Sequence, residues 1–216
     1  MVDQGVTVGY WGIRGKGQIP RLLLAYTGTK FTAKNYTAPE QWFGADKVNL
    51  GLPFPNLPYL IDGDFKLTES EAICRYIIKK YNNGELLGKT LEDQALVDNI
   101  LGVINDIATT TFQLACNEKF EEEKEKVFAD KVKAKIDMVY KQLGDKEWVL
   151  GYLTLADFKI AEASNYLEGI WPHHFKEYPK VGALSARFNE LPQIKAYYAS
   201  EGAVKGPFFP LTAKWH

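Results

Sequence analysis

Gly51-Leu-Pro-Phe-Pro-Asn-Leu-Pro-Tyr-Leu-Ile-Asp-Gly63, running on to Thr68-Glu-Ser-Glu-Ala-Ile73, is the stretch on which the reading of the chain turns. Three prolines fall within the six residues 53–58, and an apolar strand, a turn and a helix start follow. Pro58 stands immediately before Tyr59-Leu60-Ile61. Proline cannot continue a strand ladder, and the bond before it is where a cis peptide is cheap. A cis Leu57–Pro58 bond would turn the chain sharply and leave the Leu57 N–H and C=O unpaired. A peptide-like ligand would then pair with both as an extra half-strand. Glu69-Ser70 opens a helix whose free N–H groups, with the Ser70 hydroxyl, suit a carboxylate, while Glu69 suits an ammonium. One small zwitterionic peptide would span both places.

Upstream, Val6-Thr-Val-Gly-Tyr10 alternates and predicts a strand. The glycines between Gly12 and Gly17 make a loop. Pro20 fits the first turn of a helix that runs through Leu22, Leu23 and Leu24 to Gly28. Phe31–Tyr36 is a second strand, so the opening is β-α-β with a right-handed crossover and parallel strands. Residues 37–50 read as irregular. Tyr59–Ile61 and Lys66–Thr68 form a hairpin about Asp62-Gly63, followed by a helix from Glu69 to Tyr81.

Past Asn82-Asn-Gly-Glu85 the pattern becomes helical throughout. Leu96, Ile100, Ile104, Ile107 and Leu114 predict a long helix, and Val132, Ile136, Val139 and Leu143 a second. Thr154-Leu-Ala-Asp157 is a capping box opening a third through Tyr166. Pro179–Phe188 and Pro192–Ala199 read as short helices, and the tail from Gly206 as extended. The fold class is therefore α/β plus all-α. Its divisions are residues 1–83, a linker at 84–91, and a helical part at 92–216.

Of the 216 residues 46% are hydrophobic and 25% charged, which is ordinary globular composition, and the net charge of −1 gives no electrostatic case for nucleic acid or an anionic membrane. The run Glu121–Lys126 reads as a solvated helix face with a Glu122/Lys126 pair. Cys74 and Cys116 lie in apolar helical patterns and read as buried free thiols, pointing to a reducing compartment. No apolar run is long enough to span a bilayer and no signal peptide is evident, so a cytoplasmic location is expected. The adjacent His173 and His174 cannot share a helix face and have no evident third ligand, so a polar loop rather than a metal site is expected.

Phe54-Pro-Asn-Leu-Pro-Tyr-Leu-Ile-Asp-Gly63, Thr68–Ile73 and Gly9-Tyr-Trp-Gly-Ile-Arg-Gly15 together resemble the cytosolic glutathione transferases, the mu class most nearly, and the resemblance covers nearly the whole chain. It implies a thioredoxin-like N-terminal domain, a helical C-terminal domain, and glutathione as co-substrate without any cofactor. It implies that Tyr10 hydrogen-bonds the glutathione thiolate. Trp42 and Lys47, with Trp11 and Asn56 nearby, would hold the glycine carboxylate. Leu57 and cis Pro58 would pair with the cysteinyl part, and Glu69 and Ser70 would bind the γ-glutamyl end. Asp106 would reach the γ-glutamyl ammonium in the neighbouring subunit of a homodimer. In that homodimer Phe54 would insert into the partner, and Arg75 would stack across the axis near Asp98. The hydrophobic electrophile would meet Ile13, Lys16 and Cys116, with the tail residues Phe208, Phe209, Leu211 and Trp215 either covering it or closing the core.

The chain also departs from the mu pattern. Tyr36–Trp42 is shorter than the mu loop, and Pro39 falls where that class carries a carboxylate-binding arginine. Glu69 replaces a glutamine, Lys16 an apolar residue, and Cys116 a tyrosine that assists some electrophiles. Two other readings stay open on the same fold: a glutathione-dependent isomerase of lipid endoperoxides, and a non-catalytic binding protein. Thioredoxin-like redox chemistry is disfavoured, because the Trp11–Gly17 loop carries no cysteine.

Overall fold

A computed structural model describes residues 5–216. By their internal contacts the described residues form two compact units, residues 5–84 with 192–207 and residues 85–191 with 208–216.

In the first unit, β1 (Val6–Trp11), β2 (Phe31–Tyr36), β3 (Tyr59–Asp62) and β4 (Phe65–Thr68) form one sheet in the order β2-β1-β3-β4. β1 runs parallel to β2 and antiparallel to β3, and β3 is antiparallel to β4. Helix α1 (Gln18–Tyr26) makes the crossover between the parallel strands, and its residues Ile19, Leu22, Leu23 and Leu24 are buried. Helix α2 (Ser70–Tyr81) buries Ile73, Cys74, Ile77 and Ile78 and packs on α1. Gly9 pairs with Tyr59 across β1 and β3, and a Cβ at Gly9 would lie 2.1 Å from the Tyr59 ring. Only glycine lets that ring lie flat on the strand. Late in sequence, helix α8 (Pro192–Ala199) packs on α1 and belongs to this unit.

In the second unit the long helix α3 (Leu91–Ala115) starts at Thr90, whose hydroxyl accepts from the Asp93 N–H at 3.1 Å. It is followed by α4 (Phe120–Val127), α5 (Lys133–Leu143), α6 (Leu155–Ile170) and α7 (Pro179–Asn189). Helix α6 is the hub, buried along most of its length and packed on both α3 and α7. Its start is the capping box read from the sequence, with Asp157 accepting from both the Thr154 N–H (2.8 Å) and hydroxyl (2.9 Å).

Four expectations are corrected. Residues 39–49 are helical turns rather than irregular chain. Pro39 opens them, and the Gln41 side chain accepts from the Thr37 and Ala38 amides at 2.9 and 3.2 Å, doing the work of a cap in a segment too short to show periodicity. The tail is folded into turns, and Phe208, Phe209 and Trp215 close an aromatic cluster with Tyr166, while Leu211 is exposed. In the acidic run Lys124 pairs with Glu121, and no Glu122–Lys126 pair forms among the described residues. His174 lies in a helical turn, stacked on Phe128 and bonded to Glu125, rather than in a polar loop.

Candidate functional site

Tyr10 stands near the end of β1, where the strand gives way to Gly12–Gly17. Its side chain is buried, and this loop encloses it. A Cβ at Gly15 would sit 2.8 Å from the Tyr10 hydroxyl, and one at Gly17 would sit 2.6 Å from the ring. Gly15 also has φ +37, which other residues rarely adopt. The Lys16 side chain is exposed, but its backbone N–H hydrogen-bonds the Tyr10 oxygen. Beneath the ring lies the fully buried Arg21, its guanidinium 5.8 Å from the ring centre and bonded to the carbonyls of Ile13 (2.9 Å) and Trp11 (3.2 Å) and to Asn35 Oδ1 (3.0 Å). Burial pushes the Tyr10 hydroxyl above its ordinary titration range, with the Lys16 amide and the Arg21 charge pulling the other way. Tyr10 is therefore a neutral phenol near pH 7. With an N–H already given to its oxygen, its own proton is free to be donated.

Beside this pocket Trp11, Trp42 and Leu57 meet on one cluster with Tyr36, Leu52 and Tyr59. Trp42 is a core residue, stacked on Tyr59 with ring centres 6.0 Å apart, and Trp11 meets Tyr36 edge-on. The Lys47 ammonium lies 5.3 Å over the Phe43 ring. A polar network fastens this segment to the sheet. The Tyr36 hydroxyl donates to Asp46 at 2.6 Å and is 3.0 Å from the Tyr59 hydroxyl, and Lys34 pairs with Asp46 at 2.5 Å. The hydrogen bonds from Lys34 and Tyr36 outweigh partial burial and hold Asp46 below the usual carboxylate range.

The Leu57–Pro58 bond is cis. The Leu57 N–H is not open, however: it donates to Asn56 Oδ1 at 2.9 Å, because a short asparagine side chain reaches the next amide. The carbonyl of Leu57 accepts no hydrogen bond from the described residues, so half of the expected docking edge is available. Asn56 Nδ2 donates to Glu69 Oε1 at 3.2 Å, which ties the proline turn to the start of α2. Glu69 has φ 68 and ψ 114, a backbone conformation that costs a non-glycine residue about 1–3 kcal/mol and clusters at ligand clamps. Ser70, half-buried, is the first residue of α2.

Tyr10, Trp11, Ile13, Lys16, Trp42, Lys47, Asn56, Leu57, Pro58, Glu69 and Ser70 thus all belong to the first unit. Phe54 lies there too, 78% exposed between the exposed Pro53 and Pro55, and Arg75 is half-buried on α2. Asp98, Asp106 and Cys116 belong to the second unit. Asp98 is exposed on α3, and Asp106, also on α3 and exposed, is ion-paired with Lys135. Cys116 is exposed, not buried as its apolar surroundings in sequence suggested, because it falls at the C-cap of α3 where the buried face has ended. Cys74 is buried. Lys34, Tyr36, Asp46 and Tyr59 do not stand out in the sequence as site residues. Their only sequence signal is a tyrosine on each of the two strands that flank β1, and their pairing is a matter of register.

The family model for the glutathione S-transferase N-terminal domain matches residues 6–79, and that for the C-terminal domain matches residues 105–201. Among curated proteins, the chain is 38% identical to the class-mu 26 kDa isozyme 51 of the glutathione S-transferase of Fasciola hepatica, over 93% of this chain and 91% of that protein. It is 36% identical to glutathione S-transferase Mu 1 of Bos taurus, over 96% and 97% of the two chains. Among solved structures, the glutathione S-transferase Blo t 8 superposes with a TM-score of 0.83 at 28% identity, covering 96% of this chain and 98% of that one. Rat hPGDS complexed with a quinoline superposes with a TM-score of 0.77 at 27% identity, covering 89% and 95%.

Proposed function

The chain belongs to the glutathione S-transferase family, and from that premise we propose that it conjugates reduced glutathione to hydrophobic electrophiles, with the Tyr10 hydroxyl donating to the sulfur. A thiol titrates at about 8.5, so little of it is thiolate near pH 7. A hydrogen bond to a charged acceptor is worth about 1.5–3 kcal/mol, which at 1.36 kcal/mol per unit lowers that value by about one to two units. One well-placed neutral donor is enough, and no base in the protein is needed. The observation that carries this reading is the buried, neutral Tyr10 with a backbone N–H on its oxygen and glycines enclosing its ring.

Trp42 and Lys47 take the glycine carboxylate in this scheme, with Trp11 and Asn56 beside them. The Leu57 carbonyl pairs with the cysteinyl residue, and Glu69 and Ser70 take the γ-glutamyl end. Ile13 and Lys16, on the loop after Tyr10, meet the electrophile. Residues 1–83 act as the glutathione-binding domain, 84–91 as the linker and 92–216 as the helical domain, except that residues 192–207 pack with the first unit. We assign a homodimer, with Phe54, Arg75 and Asp98 at its interface and Asp106 serving the neighbouring subunit, and a cytoplasmic location consistent with two free cysteines. No helix among the described residues is long and apolar enough to cross a membrane.

The test is conjugation of glutathione to a chlorinated dinitrobenzene against pH, for the native protein and Tyr10→Phe. A native profile shifted to acid, with a variant that loses rate near neutrality and recovers as pH rises, supports the scheme. A Tyr10→Phe protein with the full neutral rate overturns the role of Tyr10. Glutathione binding without turnover would favour a binding protein or an isomerase.

A further inference from the structure

The two residues that flank Gly15-Lys16-Gly17 hold the same hydroxyl group. Arg14 Nη2 donates to Tyr198 Oη at 2.9 Å, and Gln18 Nε2 donates to it at 3.3 Å. A tyrosine oxygen has room for two such donors, so Arg14 and Gln18 together fill it. The Arg14 guanidinium also lies 5.4 Å over the Tyr198 ring. Three further bonds run between the same two segments. Arg14 Nη1 donates to the Lys205 carbonyl at 3.3 Å, Gln18 Nε2 to the Val204 carbonyl at 3.2 Å, and the Arg14 N–H to the Pro207 carbonyl at 2.8 Å.

Both donors are buried, Arg14 at 6% exposure and Gln18 at 0%. Burying an arginine and an amide is costly unless their donors are met. These side chains direct donors to residues 180 to 191 positions away in sequence, all within the first unit. The segment 198–207 is therefore a backing for the loop. In front of that backing, the loop leaves Tyr10 no slack, since Gly15 and Gly17 approach its hydroxyl and ring more closely than a Cβ would permit. A loop anchored on both sides by one oxygen, and in contact with the reactive phenol between them, transmits any slackening to that phenol.

We propose that Tyr198 is a positioning residue for the Tyr10 chemistry: its hydroxyl clamps Arg14 and Gln18, fixes the loop between them, and so sets where the Tyr10 proton lies relative to the glutathione sulfur. The inference depends on Tyr10 being the donor to that sulfur. Tyr198 itself touches neither the peptide nor the electrophile in this scheme, and it acts through Arg14 and Gln18.

The experiment is the pH dependence of kcat/KM for conjugation to the chlorinated dinitrobenzene, with thermal unfolding and calorimetric glutathione binding, in the native protein, Tyr198→Phe, Gln18→Leu and Tyr10→Phe. Tyr198→Phe keeps the ring over Arg14 and removes only the shared acceptor. It is expected to move the midpoint of the profile up by about half a unit, so that kcat/KM on the acid limb falls about threefold and recovers as pH rises. Binding of glutathione at low pH should change by less than about twofold, and Gln18→Leu should shift the midpoint in the same direction. A Tyr198→Phe protein that loses thermal stability with an unmoved midpoint, or that loses rate equally at every pH, would show a structural role only and overturn the proposal. If Tyr10→Phe shifts the profile and Tyr198→Phe does not, the clamp alone fails. If Tyr10→Phe leaves it unmoved, the Tyr10 reading fails and the clamp with it.

Discussion

The Tyr36 hydroxyl donates to the Asp46 carboxylate at 2.6 Å and thereby joins the end of β2 to the helical segment that carries Trp42 and Lys47. Lys34 meets the same carboxylate, and Tyr59, on which Trp42 stacks, lies within hydrogen-bond distance of the same hydroxyl. Hydrogen bonds to charged groups contribute about 1.5–3 kcal/mol. Part of that loss should appear as misplacement of Lys47 and Trp42. Tyr36→Phe is expected to raise the glutathione KM by about three- to tenfold with kcat changed less than about twofold, since the segment binds and does not react. An unchanged KM would show that the segment is held by its aromatic packing alone. The pH dependence has a definite sign. Asp46 titrates below its unfolded value, so its contribution is present above about pH 4 and is lost as pH falls through its folded value. The stability gap between native protein and variant should narrow in acid.

Gly9 tests the sheet in the same region. A methyl there would enter the Tyr59 ring, which is itself pinned by Tyr36 and Trp42. Overpacking of this kind costs about 1–3 kcal/mol. Gly9→Ala should lower the urea midpoint correspondingly. Gly182, on α7, faces only an ordinary contact at 3.7 Å, and Gly182→Ala should raise stability by about 0.5–1 kcal/mol through helix propensity. Equal effects at the two positions would mean that the Tyr59 ring can move aside.

Local features of this chain are legible in its sequence, and distant pairings such as Tyr36–Asp46 are not. The β-α-β opening, the hairpin about Gly63, the cis Leu57–Pro58 turn and the Thr154–Asp157 box all follow from local chemistry, and each stands in the structure. The identity of Tyr10 and its neighbours as a candidate site came from motif resemblance. What stayed hidden was set by distant pairings. Tyr36 reaches Asp46 only because β2 ends beside the turn at 42–46, and Tyr198 reaches Arg14 only because α8 folds back on α1. Cys116 is hidden for the opposite reason. Its apolar neighbours belong to a helix that stops one residue before it.

Phe54 is a large apolar side chain left 78% exposed in a loop stiffened by prolines on both sides. Burying one phenylalanine contributes about 1.5–3 kcal/mol, and a two-fold interface would bury it twice. Phe54→Ser should therefore weaken dimerisation by about 3–6 kcal/mol, or two to four orders of magnitude in Kd. Light scattering at micromolar concentration is the check. The native protein should run as a dimer and the variant should dissociate. A native monomer would remove the dimer and the roles given to Arg75, Asp98 and Asp106.

Asp157 supplies a pH dependence opposite in sign to that of Asp46. It is fully buried at the start of α6, and burial pushes its carboxyl up to about 6, although the Val149 and Thr154 amides and the Thr154 hydroxyl all donate to it. The folded state therefore holds its proton more tightly than the unfolded chain does. Its contribution to stability is fully present below about pH 4, declines as pH rises toward about 6, and is constant beyond, a change of at most about 3 kcal/mol. Asp157→Asn carries no titrating proton, so the stability difference between native protein and variant should be largest near pH 4 and flatten above pH 6. Asp157→Ala leaves the Val149 and Thr154 donors unmet and should cost about 2–4 kcal/mol at neutral pH. Urea midpoints of the three proteins across about pH 4 to 8 decide it. A native–Asn difference that instead grows with pH would mean that the three donors outweigh burial, and that the charged carboxylate is the form that holds α6 in place.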